Sequence, residues 1–547
     1  MTKRARVWCA VMLLLSAVGI RAQTIRNIFI NRHNVFDSTQ RDWFFGAPLA
    51  NALHSVTRTY LIEDELLLFE GDEADSILLL ETERNLRRTG LFSSVNVQTI
   101  GAGSDDPDSV DIIIETRDRW SLLPALLVGT GGGISNLGAK LTEENLLGTG
   151  TQCTAQALHR TENDIGWEGM VHVAQRRLFR SEFALEALVQ ANAVRTDQML
   201  TIAKAYRTTQ TPWAGGVQVA RSFGALFSYA DTVGFRQLPF SENTASAWIS
   251  QSYGTDDLLF VTGALTLNNA SRNSPGIRQA FDNTGSLLVS FSSLSALYSR
   301  NHFLNGYETE DVAEGGWGNV TLGRVFSLGN GGQTMWYIGG EARKSLYVMP
   351  SLYADGLVQG GSGFGRVPEG QVAGSRALYT FVGVQGIGHW RASDNLVLTA
   401  RVLAQASWNW NAYRQLVLDF ESGLRGYSAN AFAGDNRMIS NVELRWFPQW
   451  TVWIAGISGV AFYDAGTVWN QGTPLTSARF HNSVGIGVRL HNLKASGNDA
   501  IFRFDLAYNL DEHRFGGLIF TTNQLFSAFG TLIFSTPQLY GSVNDER

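Results

Sequence analysis

Residues of the kinds that do covalent chemistry are present in this chain, but none stands in a pattern that such chemistry requires. Its nine histidines are scattered, and His172 fits a polar strand face better than a metal-ligand set. There is no nucleophile elbow, no phosphate-cradling glycine loop and no zinc-ligand spacing. Ser362 sits in glycine-rich sequence that reads as a flexible loop. Of the two cysteines, Cys9 lies in the opening apolar run and leaves Cys153 with no internal disulfide partner, which excludes a disulfide-stapled secreted scaffold. The sequence accordingly predicts no enzyme, no cofactor and no metal site. What it offers instead is electrostatic chemistry, in charges that recur on one face of alternating segments. Phe502, Phe504, Leu506 and Tyr508 oppose Arg503 and Asp505, and Leu398, Ala400, Val402 and Ala404 oppose Thr399, Arg401 and Gln405. Phe183, Leu185, Ala187, Val189 and Ala191 oppose Glu186 and Gln190 in the same way.

Such a pattern needs strands with one apolar face and an interior able to hold charge. Period-two alternation continues through the 423 residues after Pro124. A soluble β-sandwich also alternates, but its small core does not easily enclose so many inward Arg, Glu and Asp. A polar barrel lumen does, whereas charge on the lipid face costs ~2 to 4 kcal/mol at the membrane midplane. Composition agrees: 57 glycines, 11% aromatic residues and only 17% charged residues, with a mean hydropathy close to neutral. Beyond the first residues no stretch is long and apolar enough for a spanning helix, so a membrane protein made from this chain is a closed barrel. Connections differ in length: Ser393–Asn395 reads as a tight turn, Asn301–Trp317 and Ser351–Arg376 as long loops, as in outer-membrane barrels. At about 26 residues per strand and connection, residues 121–547 are expected to form a transmembrane β-barrel of about 16 antiparallel strands. Gly131-Gly132-Gly133 falls in the first strand region, where glycine loosens pairing; this suits a lateral seam and ordinary barrel curvature equally.

The start of the chain reads as an export signal over residues 1–22: basic Lys3, Arg4 and Arg6, an apolar run Val7–Ile20, and Ala22 at a cleavage site. Residues 23–120 then read as a small α+β domain. Ile25, Ile28, Phe29 and Ile30 mark a strand, followed by a connection through Trp43–Pro48. A helix from Thr59 carries Leu61, Ile62, Leu66, Leu67 and Phe69 and is expected to stop at Gly71. A second helix is N-capped by Asp75, carries Leu79, Leu80 and Leu86, has Arg87 and Arg88 in its last turn and ends at Gly90. Two strands follow, through Val95 and Val97 and through Val110, Ile112 and Ile114. This segment holds 17 acidic against 9 basic residues, which argues against a nucleic-acid partner.

Three signatures carry a family resemblance. Glu83-Arg84-Asn85-Leu86-Arg87-Arg88-Thr89-Gly90-Leu91-Phe92-Ser93-Ser94-Val95, preceded by Gly71-Asp72, resembles a POTRA domain. Glu144-Asn145-Leu146-Leu147-Gly148-Thr149-Gly150 is similar to a turn near the start of the barrel in the BamA/TamA outer-membrane assembly superfamily, also known as bacterial surface antigen barrels. Gly423-Leu424-Arg425-Gly426-Tyr427 resembles that family's inward-folded loop motif. It is followed in order by Glu443-Leu444-Arg445, Phe462-Tyr463-Asp464-Ala465-Gly466 and Gly485-Ile486-Gly487-Val488-Arg489. Two features depart from the family. Only one POTRA-like unit fits before the barrel, and the expected closing aromatic, Phe534, is followed by a polar tail to Arg547.

The resemblance implies a barrel in the outer membrane of a Gram-negative-type bacterium with the POTRA-like domain in the periplasm. It implies work on other polypeptides: assembly, insertion or translocation at that membrane. Partners would be outer-membrane lipid, an unfolded or extended client and periplasmic accessory proteins, with no nucleic acid. A passive pore or substrate-specific channel on the same scaffold is the alternative. Beside the resemblance stands a physical expectation for the loop. Arg425, between small and aromatic neighbours, needs an anion if it sits in a confined lumen. Alternation turns Asp464 inward together with Phe462 and Gly466, making Asp464 the natural partner, Glu443 a second anion and Phe462 a cation-π contact worth ~0.5 to 2 kcal/mol.

Overall fold

The structure is a computed structural model that describes residues 23–36, 51–52, 54–101, 108–207, 211–229, 236–255, 257–272, 278–301, 306–307, 310–329, 332–365, 377–452, 455–492, 501–521, 534–542 and 545. The expected export signal and the Trp43–Pro48 connection lie outside the described residues. Two compact units are present. The first comprises Met1–Leu123 with Thr142–Cys153 and Gln175–Ser181, and the second comprises Pro124–Leu141, Thr154–Ala174 and Glu182–Arg547.

In the first unit, β1 (Thr24–His33), α1 (Thr59–Glu63), α2 (Ser76–Arg88), β2 (Phe92–Gly101) and β3 (Ser109–Asp118) follow in order. β3 is central, parallel to β1 and antiparallel to β2. Its alternation buries Val110, Ile112 and Ile114, the last two in one core with Ile25, Ile62, Leu86, Phe92 and Val95. The Asp75 carboxylate accepts the Ile77 N–H at 2.7 Å and starts α2, and Gly90, at φ +73°, ends it in a conformation that side chains resist. Across the β1–β3 pair, hydrogen bonding to Arg26 holds the Asp111 carboxyl below the usual carboxylate range, outweighing its partial desolvation.

The first helix is shorter than the sequence suggests. The pattern reaches Phe69, but α1 stops at Glu63. Beyond it, Arg177 donates to Glu65 at 3.0 Å and to the Asp64 carbonyl, and Arg180 to Asp64. The segment then turns so that Leu68 enters the core and Gly71 donates to the Ile25 carbonyl. Leu86 is wholly buried among these apolar side chains. Leu86→Ala is therefore expected to destabilise the unit by about 2 to 5 kcal/mol. Limited proteolysis of the full chain should then cut residues 54–118 much faster while the barrel stays heat-modifiable; unchanged resistance would mean that Leu86 carries no core.

The second unit is a closed barrel of 20 antiparallel strands, not about 16. The undercount has a physical origin. Most of the stretches read as long loops are strands, Glu310–Ser327 and Leu352–Gly365, whose glycines make room for side chains in the lumen. A Cβ on Gly361 would stand 2.0 Å from the Tyr337 hydroxyl, and one on Gly363 2.1 Å from the Met335 sulfur. Ser362 accordingly lies on a strand, with its hydroxyl 2.8 Å from that of Thr380. The outer face is apolar, with exposed Val217, Val219, Ile249, Leu287, Phe291, Trp336, Leu444 and Ile486. His172 pairs with Glu186 across neighbouring strands at 2.9 Å.

The ends of the barrel wall also differ from expectation. The last strand among the described residues is Arg514–Thr521, and Phe534 lies beyond it, outside any strand. Among the described residues, the first strand, Leu122–Gly131, meets the last at Phe520 with Thr130. Gly132 and Gly133 form the turn after the first strand, at φ +58° and +85°, instead of interrupting its pairing.

Candidate functional site

Between the strands Leu396–Trp408 and Asn436–Val452 the chain makes a long inward connection carrying a small hairpin, Leu416–Leu418 paired with Phe432–Gly434. Asp419 organises its tip. One carboxylate oxygen accepts the Ser422 N–H at 2.9 Å and the other the Asn430 N–H at 3.0 Å, while its carbonyl accepts the Leu424 N–H at 2.8 Å. Leu424 and Tyr427 are buried with Leu418 and Ile439. Gly423 and Gly426 take φ +121° and +89°, a region that disfavours side chains, so the turn needs both glycines.

This turn presents Arg425 to three strands. Its guanidinium grips Asp464 through Nε and Nη2, both at 2.8 Å, and Nη1 donates to Glu443 at 2.9 Å and Asp505 at 3.3 Å. The Phe462 ring lies 3.5 Å from the guanidinium carbon. Arg425 and Asp464 are fully buried, with relative exposures of 0%. Register explains the convergence: Asp464 faces Asn441 and Phe462 faces Glu443 across one strand pair. Asn441 donates to Asp464 at 2.7 Å, Arg445 to Glu443 at 2.9 Å and Arg489 to Asp505 at 2.5 Å. Four arginines and three carboxylates thus share one site, with Arg503 3.4 Å from Asp505.

The glycines of the surrounding strands are spacers. A Cβ on Gly485 would stand 2.3 Å from the Phe462 ring, and one on Gly487 2.0 Å from Asp505 Oδ1. Gly466 lies against Leu418 of the hairpin in the same manner, at 3.0 Å. The structure therefore brings Gly423, Leu424, Arg425, Gly426, Tyr427, Glu443, Phe462, Asp464 and Gly466 together. The sequence reading missed Asp505, Asn441, Asp419 and the arginines that balance the carboxylates. Alternation had already put Arg503 and Asp505 on one face; what it lacked was the shear that brings their strand to the same level.

A second anchor holds the far side of the loop. The Tyr427 hydroxyl donates to Asp511 at 2.9 Å, and His481 stands 2.7 Å from the same carboxylate. Burial opposes ionisation of Asp511, but hydrogen bonds from His481 and Tyr427 prevail and hold its carboxyl below the usual range. A carboxylate depressed in this way contributes stability above its ordinary pKa of about 3.9, and loses it as pH falls through the lowered value. Pepsin cleavage of residues 409–435 is thus expected to stay low from pH 5 to below about 4 and to rise only under more acid conditions. Asp511→Asn should remove that threshold, and an identical profile in the variant would dismiss the anchor.

The first unit has its own buried polar centre. Asp118 Oδ2 receives His54 Nε2 at 2.9 Å, the Thr57 N–H at 2.7 Å and the Thr57 hydroxyl at 3.0 Å. His54 Nδ1 lies 3.2 Å from the Ser121 hydroxyl. The Asn145–Gly150 turn joins this centre. Asn145 donates to Thr57 Oγ1 at 2.8 Å, Arg58 N–H donates to the Gly148 carbonyl at 3.0 Å, and a Cβ on Gly148 would stand 2.5 Å from the Val56 carbonyl oxygen. A Ser, a His and an Asp in contact resemble a catalytic triad in composition only, since His54, Asp118 and Ser121 are all buried.

No group at the loop is arranged for turnover; the arrangement is a fastening. A closed antiparallel barrel with an apolar outer face and an inward loop pinned by an arginine on buried carboxylates defines a class of outer-membrane barrel. Residues 406–518, which span the loop and the strands that hold it, match the Omp85 superfamily domain. No curated protein matches the chain. Among solved structures it is similar to BamA from Haemophilus ducreyi lacking POTRA domains 1-3, at 13% identity over 90% of this chain and 84% of that one, with a TM-score of 0.42. It is similar to CdiB from Escherichia coli at 11% identity over 91% and 76%, with a TM-score of 0.44. It is also similar to the FrpB iron transporter from Neisseria meningitidis (F5-1 variant) at 9% identity over 81% and 86%, with a TM-score of 0.41.

Proposed function

We propose that this protein assembles, inserts or translocates other polypeptides at the outer membrane. The observation that carries the reading is the inward loop, pinned through Arg425 on Asp464, Glu443 and Asp505 within the stretch that matches the Omp85 superfamily domain. The loop also reaches the place where the first and last strands meet, at Phe520 with Thr130 among the described residues, where a client strand would exchange by edge pairing. The loop is fastened beside this join: the Ala429 N–H donates to the Gly132 carbonyl at 2.9 Å and Asn430 to Glu162 at 2.6 Å. The work requires positioning and strand exchange, not a catalytic group.

In this reading residues 23–120 are a POTRA-like domain in the periplasm, reached after removal of residues 1–22 as an export signal. Its sheet order leaves β1 and β2 as edges, where an extended client or a periplasmic accessory protein can add by β-augmentation. Outer-membrane lipid surrounds the barrel. The test is depletion of the protein followed by a census of outer-membrane proteins. Broad loss of barrel proteins is the expected outcome. Loss of uptake of one solute with a normal census would replace the proposal with a channel function.

A further inference from the structure

Residues 534–542 and Asp545 lie in the lumen and make contacts a spent strand end would not need. Phe534 packs among Tyr206, Trp248, Phe260 and Trp317, with ring centroids 5.0, 5.6, 5.2 and 6.1 Å away. Ser535 donates to Glu341 at 2.9 Å. Farther along the same wall strand, the Tyr540 N–H donates to the Tyr337 hydroxyl at 2.8 Å, and the Tyr540 hydroxyl to Asn319 at 3.2 Å. Gly541, at φ +79°, brings the backbone against Phe381, and Arg414 donates to its carbonyl. The segment ends on the inward loop. Asp545 and Gln415 exchange hydrogen bonds of 2.9 and 2.8 Å, and the Asp545 carboxylate accepts from the Val417 N–H at 2.8 Å and from Arg437 at 2.7 Å.

This is the pattern of a bound peptide: two aromatic anchors in side-chain nests, backbone pairing at one end and an acid on an arginine. Among the described residues the segment pairs with no barrel strand, and Pro537 removes one backbone donor from it. The wall is shaped for it as well. A Cβ on Gly339 would stand 3.0 Å from the Tyr540 ring and 2.8 Å from the Tyr337 hydroxyl. We propose that the lumen contains a binding groove for an extended polypeptide, and that residues 534–542 together with Asp545 are its resident occupant. The occupant closes the pore and holds the hairpin at Leu416–Leu418 until it is displaced. This holds whether polypeptides or solutes use the barrel, so it stands apart from the assembly function.

The test is conductance of the purified protein in planar bilayers. A chain ended before Phe534 should still assemble as a heat-modifiable barrel and show a several-fold rise in conductance. A synthetic peptide covering Phe534–Arg547 should return the conductance to that of the full chain. A peptide carrying Phe534→Ala, Tyr540→Ala and Asp545→Asn should not. Equal conductance of the shortened and full chains, or indifference to the peptide, overturns the proposal. Should the shortened chain fail to assemble, the full chain with Ser535→Cys and Glu341→Cys, in a Cys153→Ser background, decides the matter. Oxidation should abolish spontaneous openings and exclude labelled peptide, and reduction should restore both. Equal openings and peptide uptake in the two redox forms would overturn it.

Discussion

Arg425→Ala should release the inward loop from the barrel wall. The arginine is wholly buried and satisfies Asp464, Glu443 and Asp505 at once. Removing it leaves three carboxylates close together in a site from which water is largely excluded, and breaking such a pair costs about 3 to 5 kcal/mol. The loop residues 409–435 should then be cut readily by protease added from outside, and the barrel should assemble in lower yield. Asp464→Ala should act in the same direction but less strongly, because Glu443 and Asp505 still hold Nη1. The double variant should be much less than additive. Arg425→Lys keeps the charge but loses the planar fork that spans both Asp464 oxygens, so it should fall between wild type and alanine. Additive single effects would refute the shared interaction, and an Arg425→Ala protein with unchanged loop accessibility would reduce the cluster to a bystander.

Much of this site is legible in the sequence because alternation in a strand is a strict rule. Once Phe462, Asp464 and Gly466 share a parity, they share a face, and an arginine flanked by glycines upstream becomes their natural partner. What alternation does not reveal is stagger. Asp505 lies on the second strand beyond Asp464, and only the register of Asp464 with Ser483 and of Gly487 with Asp505 brings it within reach of Arg425. Strand count failed for a related reason. Gly356, Gly360, Gly361, Gly363 and Gly365 read as loop because glycine weakens strands in isolation, yet here several of them clear space for Tyr337 and Met335. Phe534 followed the same course: an aromatic near the end of a barrel sequence suggests a final strand, and only the ring nest inside the wall reveals another use. In the first unit the capped helix α2 was clear from Asp75 and Gly90, while the early end of α1 depends on Arg177 and Arg180, more than a hundred residues away in sequence.

That first unit is where a single polar substitution should do most damage. Asp118 ends β3, is fully buried and accepts from His54 and from both the N–H and the hydroxyl of Thr57 through one oxygen. Asp118→Ala leaves these groups without their acceptor in a place that water reaches poorly, at about 1 to 3 kcal/mol for each stranded donor. The losses are coupled, so the total should be on the order of 3 kcal/mol or more, a large share of the stability of a domain of this size. The damage should also spread. Thr57 Oγ1 accepts from Asn145, whose own carbonyl oxygen accepts the Gly150 N–H at 2.8 Å, so the Asn145–Gly150 turn should loosen with it. Amide hydrogen exchange should therefore accelerate together at residues 54–58, 115–121 and 145–150, with the strands of the barrel unchanged. His54→Ala should give a weaker form of the same pattern, because Thr57 keeps its acceptor. Faster exchange confined to residues 115–121 would show that Asp118 only caps its own strand and that His54, Thr57 and Asn145 do not form one network with it.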